Sequence, residues 1–202
     1  MNKKQSGGAK LSKREQLRAE RQKRNLTWNI IIFGVLGLAV IGVVAYYIAN
    51  GRPGPFPGEQ VIPDEGRGHV AEGTPITYQH YPPSSGTHFF SPAPWGVAGS
   101  PLAEGLFVHN LEHGGVVFLY HCEPDCPDLV KQFEDLVAKA PPAFPFSTIK
   151  ILVTAYDAKK MTTPIIALAW DHQLNMSGFD ETLMLRWYKR FVNEGPEGPD
   201  LP

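Results

Sequence analysis

The segment "VHNLEHGGVV" places His109 and His113 four residues apart, with Glu112 beside the second histidine. On a helical turn, positions i and i+4 share a face, so both imidazoles can address one point. Gly114 and Gly115 follow at once and are expected to end the turn, releasing the chain into the apolar run Val116–Tyr120. His88 closes the loop "PPSSGTH", and His69 stands where the folded domain is expected to begin. Imidazole is the commonest protein metal ligand and suits zinc, copper, iron or nickel. The expected site is therefore His88, His109 and His113, with His69 as fourth ligand. Met161, just before an apolar segment, would add a thioether that tilts the site toward copper(I), so copper is the favoured ion and zinc the alternative. Glu112 is expected behind the imidazoles, holding a ring N–H rather than the ion.

Two other readings compete with a metal site. In the plainest, the histidines satisfy carbonyls at a helix end and pack against a strand. In the other, "HNLEH" is the inverted zinc-peptidase pattern H-x-x-E-H, with the glutamate as general base. That chemistry needs a helix several turns long. The glycine pair stops the helix downstream, and "SPLAEGLF" upstream reads as loop, so a binding role rather than an enzymatic one is expected.

Cys122 and Cys126 form C-x3-C between an apolar run and a helical pattern, in "VVFLYHCEPDCPDLVKQF". Outside the cytoplasm, two nearby cysteines are first expected to form a structural disulfide. A strand, C-x3-C-P and helix in succession also resemble the Sco-type copper chaperones, which have a thioredoxin-like fold. There a helix N-terminus favours the thiolate, as nucleophile or as copper(I) ligand. "TTPII" resembles the proline-led strand that faces the cysteines in thioredoxins, but "DAKKMT" is too short for the helix expected between the second and third core strands.

The elements that would carry these groups follow from composition and periodicity. The first 24 residues hold nine Lys/Arg and two Asp/Glu, a balance of +7, whereas the remaining ten basic and eighteen acidic residues give −8. Between Trp28 and Asn50 there is no charge. About 20 apolar residues at about 1.5 Å each span a bilayer core of about 30 Å. Trp28, Tyr46 and Tyr47 suit its two headgroup layers, and the basic flank keeps the N-terminus cytoplasmic. No small-residue cleavage pattern follows, which argues against a removed signal peptide. A basic helix beside a span is expected on anionic lipid and not on nucleic acid.

Residues 1–24 thus read as a basic cytoplasmic tail, 25–50 as a transmembrane helix and 51–68 as a Pro/Gly-rich spacer. Residues 69–195 read as one extracytoplasmic domain, and 196–202 as a flexible tail. Within the domain, "TPITYQHY", "GVVFLYH", "TIKILVTAY" and "PIIALAW" read as strands, and "PPSSGTHFFSPAPWGVAGSPLAEG" as loop. "CPDLVKQFEDLVAKA" and "FDETLMLRWYKRFVNEG" read as the two main helices. The fold class is α+β: a transmembrane helix, then one small domain with a central β-sheet, with thioredoxin-like as the alternative. The membrane, through residues 28–50, is the expected partner, and an alternative to metal binding is a structural accessory module that docks to a protein partner or membrane complex through the Pro-rich loops.

"HVAEGTPITYQHYPPSSGTH", "VHNLEHGGVVFLY" and "PIIALAW", in that order, resemble a bacterial family catalogued as domain of unknown function 3105. Its members pair a P-x-S-G-x-H loop with an H-x-L-E-H-G segment, commonly behind one N-terminal membrane helix. The resemblance covers roughly residues 67–195. Its positions here are His69, Tyr78, Pro83, Ser85, Gly86, His88, His109, Leu111, Glu112, His113, Gly114, Pro164 and Trp170. It implies an intact fold with a shared histidine site and supplies no activity, so the ligand follows from chemistry alone.

Overall fold

The structure, a computed structural model, describes residues 13–51, 53–122, 125–145 and 147–198. It falls into two units divided after Gly51. The first contains α1 (Lys13–Asn50), in which Arg21–Ala45 is long and apolar enough to cross a membrane, with a mean hydropathy of 2.4. Ile30, Phe33, Leu38 and Ile41 on it are exposed. The described part of the basic segment continues the same helix. Its first twelve residues, and the side chains of Tyr46 and Tyr47, lie outside the described residues.

The second unit is α+β. Its six-stranded sheet runs β1 (Glu59–Val61), β8 (His172–Met176), β7 (Ile165–Ala169), β5 (Val116–Tyr120), β6 (Ile151–Ala155), β4 (Gly96–Val97). Central β5 pairs parallel with β6 and antiparallel with β7. Its side chains alternate between two cores. Val116, Phe118 and Tyr120 meet α3 (Pro127–Lys139) and α4 (Glu181–Phe191), through Phe133, Leu136, Met184 and Trp187. Val117 and Leu119 meet α2 (Glu104–Glu112), through Phe107, Val108 and Leu111. A strand covered on both faces reads as an unbroken apolar run, which is why β5 is so plain in the sequence.

Four readings change. "TPITYQHY" pairs with no strand. Gln79 and His80 donate their backbone N–H groups to the Glu65 carboxylate at 2.8 and 2.9 Å, and the Tyr78 hydroxyl donates to the Thr87 carbonyl at 2.7 Å. A side chain thus satisfies donors that a sheet would have used. The spacer 51–68 is not wholly irregular, because β1 in it pairs antiparallel with β8. The polar strand β8, "HQLNM", has little strand propensity of its own and forms by hairpin closure on β7. Asp171 at φ 58° makes that turn, a left-handed position that Asp tolerates better than most residues. Finally, α2 begins at Glu104, so half of "SPLAEGLF" is helical; burial of Phe107, Val108 and Leu111 outweighs the weak propensity of Gly105. Where the thioredoxin-like alternative would place a helix, only a 3-10 turn at Ala158–Lys160 stands before β7.

Candidate metal centre

A small parallel pair, β2 (His69–Val70) and β3 (His88–Phe89), sets His69 and His88 directly opposite one another in register. Packed against it, the last turn of α2 carries His109 and Glu112, and His113 caps that helix. Three contacts hold the turn in place. Asn110 exchanges two hydrogen bonds with the Ala93 backbone, both 2.9 Å. Lys150, fully buried, donates its Nζ proton to the His113 carbonyl at 3.0 Å and so satisfies an orphan acceptor at the helix end. The third contact is the C-terminal segment after α4. Gly114 lies at φ 72°, and a Cβ there would stand 2.6 Å from the Asn193 Cα. A Cβ on Gly195 would stand 2.1 Å from the Glu112 carbonyl oxygen. Only glycine permits this approach, which lets Glu197 donate its backbone N–H to the Glu112 carbonyl at 3.2 Å. The Glu197 carboxylate Oε2 then lies 3.3 Å from His113 Nε2.

The protonation pattern follows from the backbone. His88 Nδ1 lies 2.8 Å from the Gly86 carbonyl, and His109 Nδ1 lies 2.6 Å from the Phe89 carbonyl. A carbonyl only accepts, so both Nδ1 atoms carry the proton and both Nε2 atoms of the neutral rings carry lone pairs. Yet His88 Nε2 faces the Glu112 carboxylate at 2.8 Å and His69 Nε2 at 3.0 Å. His109 Nε2 faces His113 Nε2 at 2.8 Å, and His69 Nε2 lies 3.3 Å from the same Glu112 oxygen. At His88 an acceptor thus faces an acceptor in a buried part of the cluster: the His88 side chain is 0% exposed and that of Glu112 is 2% exposed. Such a cluster needs a shared proton or a cation between its atoms. Burial, the main cause, lowers the pKa of both His109 and His113. For His113 the neighbouring His109 lowers it further. Both effects favour the neutral ring, the form that binds metal.

All four expected histidines come together. His69, His88 and His109 offer ring nitrogens within 4.8 Å of one another, and His69, Glu112 and Glu197 offer ligand atoms within the same limit. Glu112, expected behind the imidazoles, has its carboxylate among the ring nitrogens instead. Met161 lies elsewhere: it lines a depression with His121, Thr162 and Pro164, where none of the four imidazoles stands. It follows the short 3-10 turn and packs on the sheet core, which takes the thioether away from the ligand set. Of the other histidines, His80 pairs with Glu65 at 3.1 Å and His172 with Glu59 at 3.0 Å.

Glu197 and Lys150 are absent from the sequence reading. "EGPEGPD" looks like a loose end, and nothing in it announces a docked carboxylate; the tail expected from residue 196 is anchored here at Glu197, and residues 199–202 lie outside the described residues. Cys122 and Cys126 have their sulfurs at bonding distance, 2.02 Å, with Cys126 capping the N-terminus of α3. They line a separate cleft of about 640 Å³ with Pro101, Tyr120 and Tyr156. The Pro164 carbonyl accepts the His121 backbone N–H at 3.0 Å, which places it beside the strand leading to Cys122.

The family described as "Protein of unknown function (DUF3105)" matches residues 69–200. Comparison with curated proteins and with solved structures found no match.

Proposed function

From a chain that belongs to the DUF3105 family, with His69, His88, His109, Glu112, His113 and Glu197 all inside the matched span, we propose a membrane-anchored domain that binds a transition-metal ion. One observation carries the reading. The lone pairs of His88 Nε2 and His109 Nε2, fixed by carbonyl bonds on the other ring nitrogen, point into one cluster, that of His88 at the buried Glu112 carboxylate and that of His109 at His113 Nε2, each 2.8 Å away. A ring whose Nδ1–H is held by a backbone carbonyl is also the usual arrangement of a ligating histidine.

Without Met161 the case for copper(I) loses its thioether. Imidazole and carboxylate donors suit copper(II) and zinc, and at such a site copper(II) binds more tightly. Copper handling therefore remains the favoured process, now through the divalent ion. The basic flank before Trp28 supports a cytoplasmic N-terminus with the domain on the far side of the membrane. A second reading, thiol–disulfide exchange or copper delivery through Cys122 and Cys126, is supported by their place at the α3 N-terminus beside the cleft.

The metal reading is tested by titrating chelator-stripped, full-length protein in detergent with Zn²⁺ and Cu²⁺. Wild type and His172→Ala should bind with micromolar or better affinity, and His88→Ala/His109→Ala should bind neither ion while keeping its circular dichroism spectrum. Absence of binding by the wild type would leave the histidines a purely structural role.

A further inference from the structure

Resting on that metal-binding reading, we infer that the centre holds two metal ions side by side. The donors fall into two matching trios. In one, His69 Nε2, His88 Nε2 and Glu112 Oε2 stand 3.0, 2.8 and 3.3 Å apart. In the other, His113 Nε2 stands 2.8 Å from His109 Nε2 and 3.3 Å from Glu197 Oε2. Each trio is two imidazoles and a carboxylate. Donors bonded to one ion at about 2.0–2.1 Å stand about 2.9–3.4 Å apart, from octahedral to tetrahedral geometry. The His69 trio is already close to that spacing, as are the His109–His113 and His113–Glu197 contacts of the other, before any adjustment of the side chains.

A single ion does not use all six donors. Four-coordinate zinc takes four donors and leaves two. An ion in the His109 trio still leaves His88 Nε2 facing the Glu112 carboxylate at 2.8 Å, acceptor against acceptor, and an ion in the His69 trio leaves His109, His113 and Glu197 as a second set of donors. The trios adjoin, with His69 and His109 ring centres 5.2 Å apart and those of His88 and His109 5.0 Å apart. Two-metal sites usually hold their ions about 3.5–4 Å apart, the spacing this pair would take. Three protein donors per ion leave coordination positions open, as in sites that act on bound water and unlike closed structural sites. Two carboxylates against two divalent ions leave a net +2, which a water-derived hydroxide or a small oxyanion placed between the ions would offset. The side chains of His69 and Glu197, 29% and 35% exposed, form the solvent edge through which that ligand would arrive.

The experiment counts ions. Full-length protein in detergent, stripped with chelator and desalted, is titrated with Zn²⁺ and its bound metal measured. The Cu²⁺-loaded protein is examined by electron paramagnetic resonance. Two Zn²⁺ per chain are expected in the wild type, one in His113→Ala/Glu197→Gln, and a Cu²⁺ signal strongly reduced by coupling between neighbouring ions. One Zn²⁺ per wild-type chain would overturn the pair and leave the metal reading standing, whereas none would overturn both. Two Zn²⁺ retained by the double variant would place the second ion elsewhere and overturn the pair, as would loss of both ions from a variant with wild-type circular dichroism. If that variant does not fold, the wild-type count and the copper signal decide alone.

Discussion

Replacing Glu112 by Gln separates a metal centre from a structural ion pair, because the two give opposite signs. Glu112 is buried, with its side chain 2% exposed, and its oxygen stands 2.8 Å from His88 Nε2. If the cluster were a structural salt bridge, His88 would be protonated and Glu112 its counter-ion. Removing one member of such a buried pair costs about 3–5 kcal/mol. In the metal-free form of a binding site, however, the carboxylate faces a lone pair. The amide of the Glu112→Gln variant supplies an N–H to that lone pair and removes a buried charge. The stripped variant should therefore gain about 0.5–1.5 kcal/mol, the net worth of one hydrogen bond. With a urea slope of about 2 kcal/mol/M, the midpoint should rise by roughly 0.25–0.75 M. Unfolding would be followed by tryptophan fluorescence at pH 8 in chelator, with the full-length protein in detergent. With zinc present the order should reverse. Loss of even a hydrogen-bond partner behind a ligand costs about 10–100-fold in affinity, so loss of this anionic donor should weaken binding at its ion by about 100-fold or more. Destabilisation of the stripped Glu112→Gln protein by about 3 kcal/mol, the cost of a broken buried pair, would refute the assignment of lone pairs on which the centre rests.

Three further outcomes are expected. His109 and His113 have folded-state pKa values below those of the unfolded chain, so the stability they contribute is fully present above about pH 6.5 and lost as pH falls through their folded values. Chelator-treated protein should therefore show a falling urea midpoint from pH 8 toward pH 5, and an unchanged or rising one would contradict the burial of neutral rings. Air-purified protein should offer no thiol to an alkylating reagent, given the Cys122–Cys126 bond. After mild reduction, a Cys126 thiol of depressed pKa would support the exchange role, and one of ordinary pKa a structural bond. Protease added to intact spheroplasts should remove the domain that follows α1, and full protection would refute its placement outside the cytoplasm.

Much of the domain is legible in the residues because local pattern and tertiary burial agree there. β5 and β7 are unbroken apolar runs, and α3 and α4 show their buried stripes and their acid-first, base-last charge. The four site histidines are legible for a different reason: His109 and His113 sit at helical spacing, His88 closes the loop "PPSSGTH", and His69 stands where the domain begins. What sequence does not carry is long-range closure. β8 exists because β7 offers it a partner, and α2 starts early because the sheet buries Phe107. Glu197 reaches the centre only because Gly195 lets two backbones touch, and Lys150 reaches His113 from a strand end 37 residues away. Met161 is the converse case, since proximity to β7 in sequence did not bring it to the ligands.

The central claim is that cations occupy the space between the facing nitrogens and carboxylates. Anomalous diffraction at the zinc edge, from crystals of zinc-loaded protein, tests it most directly. Strong peaks about 2.0–2.1 Å from His88 Nε2 and from His109 Nε2 are expected. A map with no anomalous peak among His69, His88, His109 and His113, while those Nε2 atoms keep their contacts of 2.8–3.0 Å, would contradict it and make the cluster a proton-sharing network.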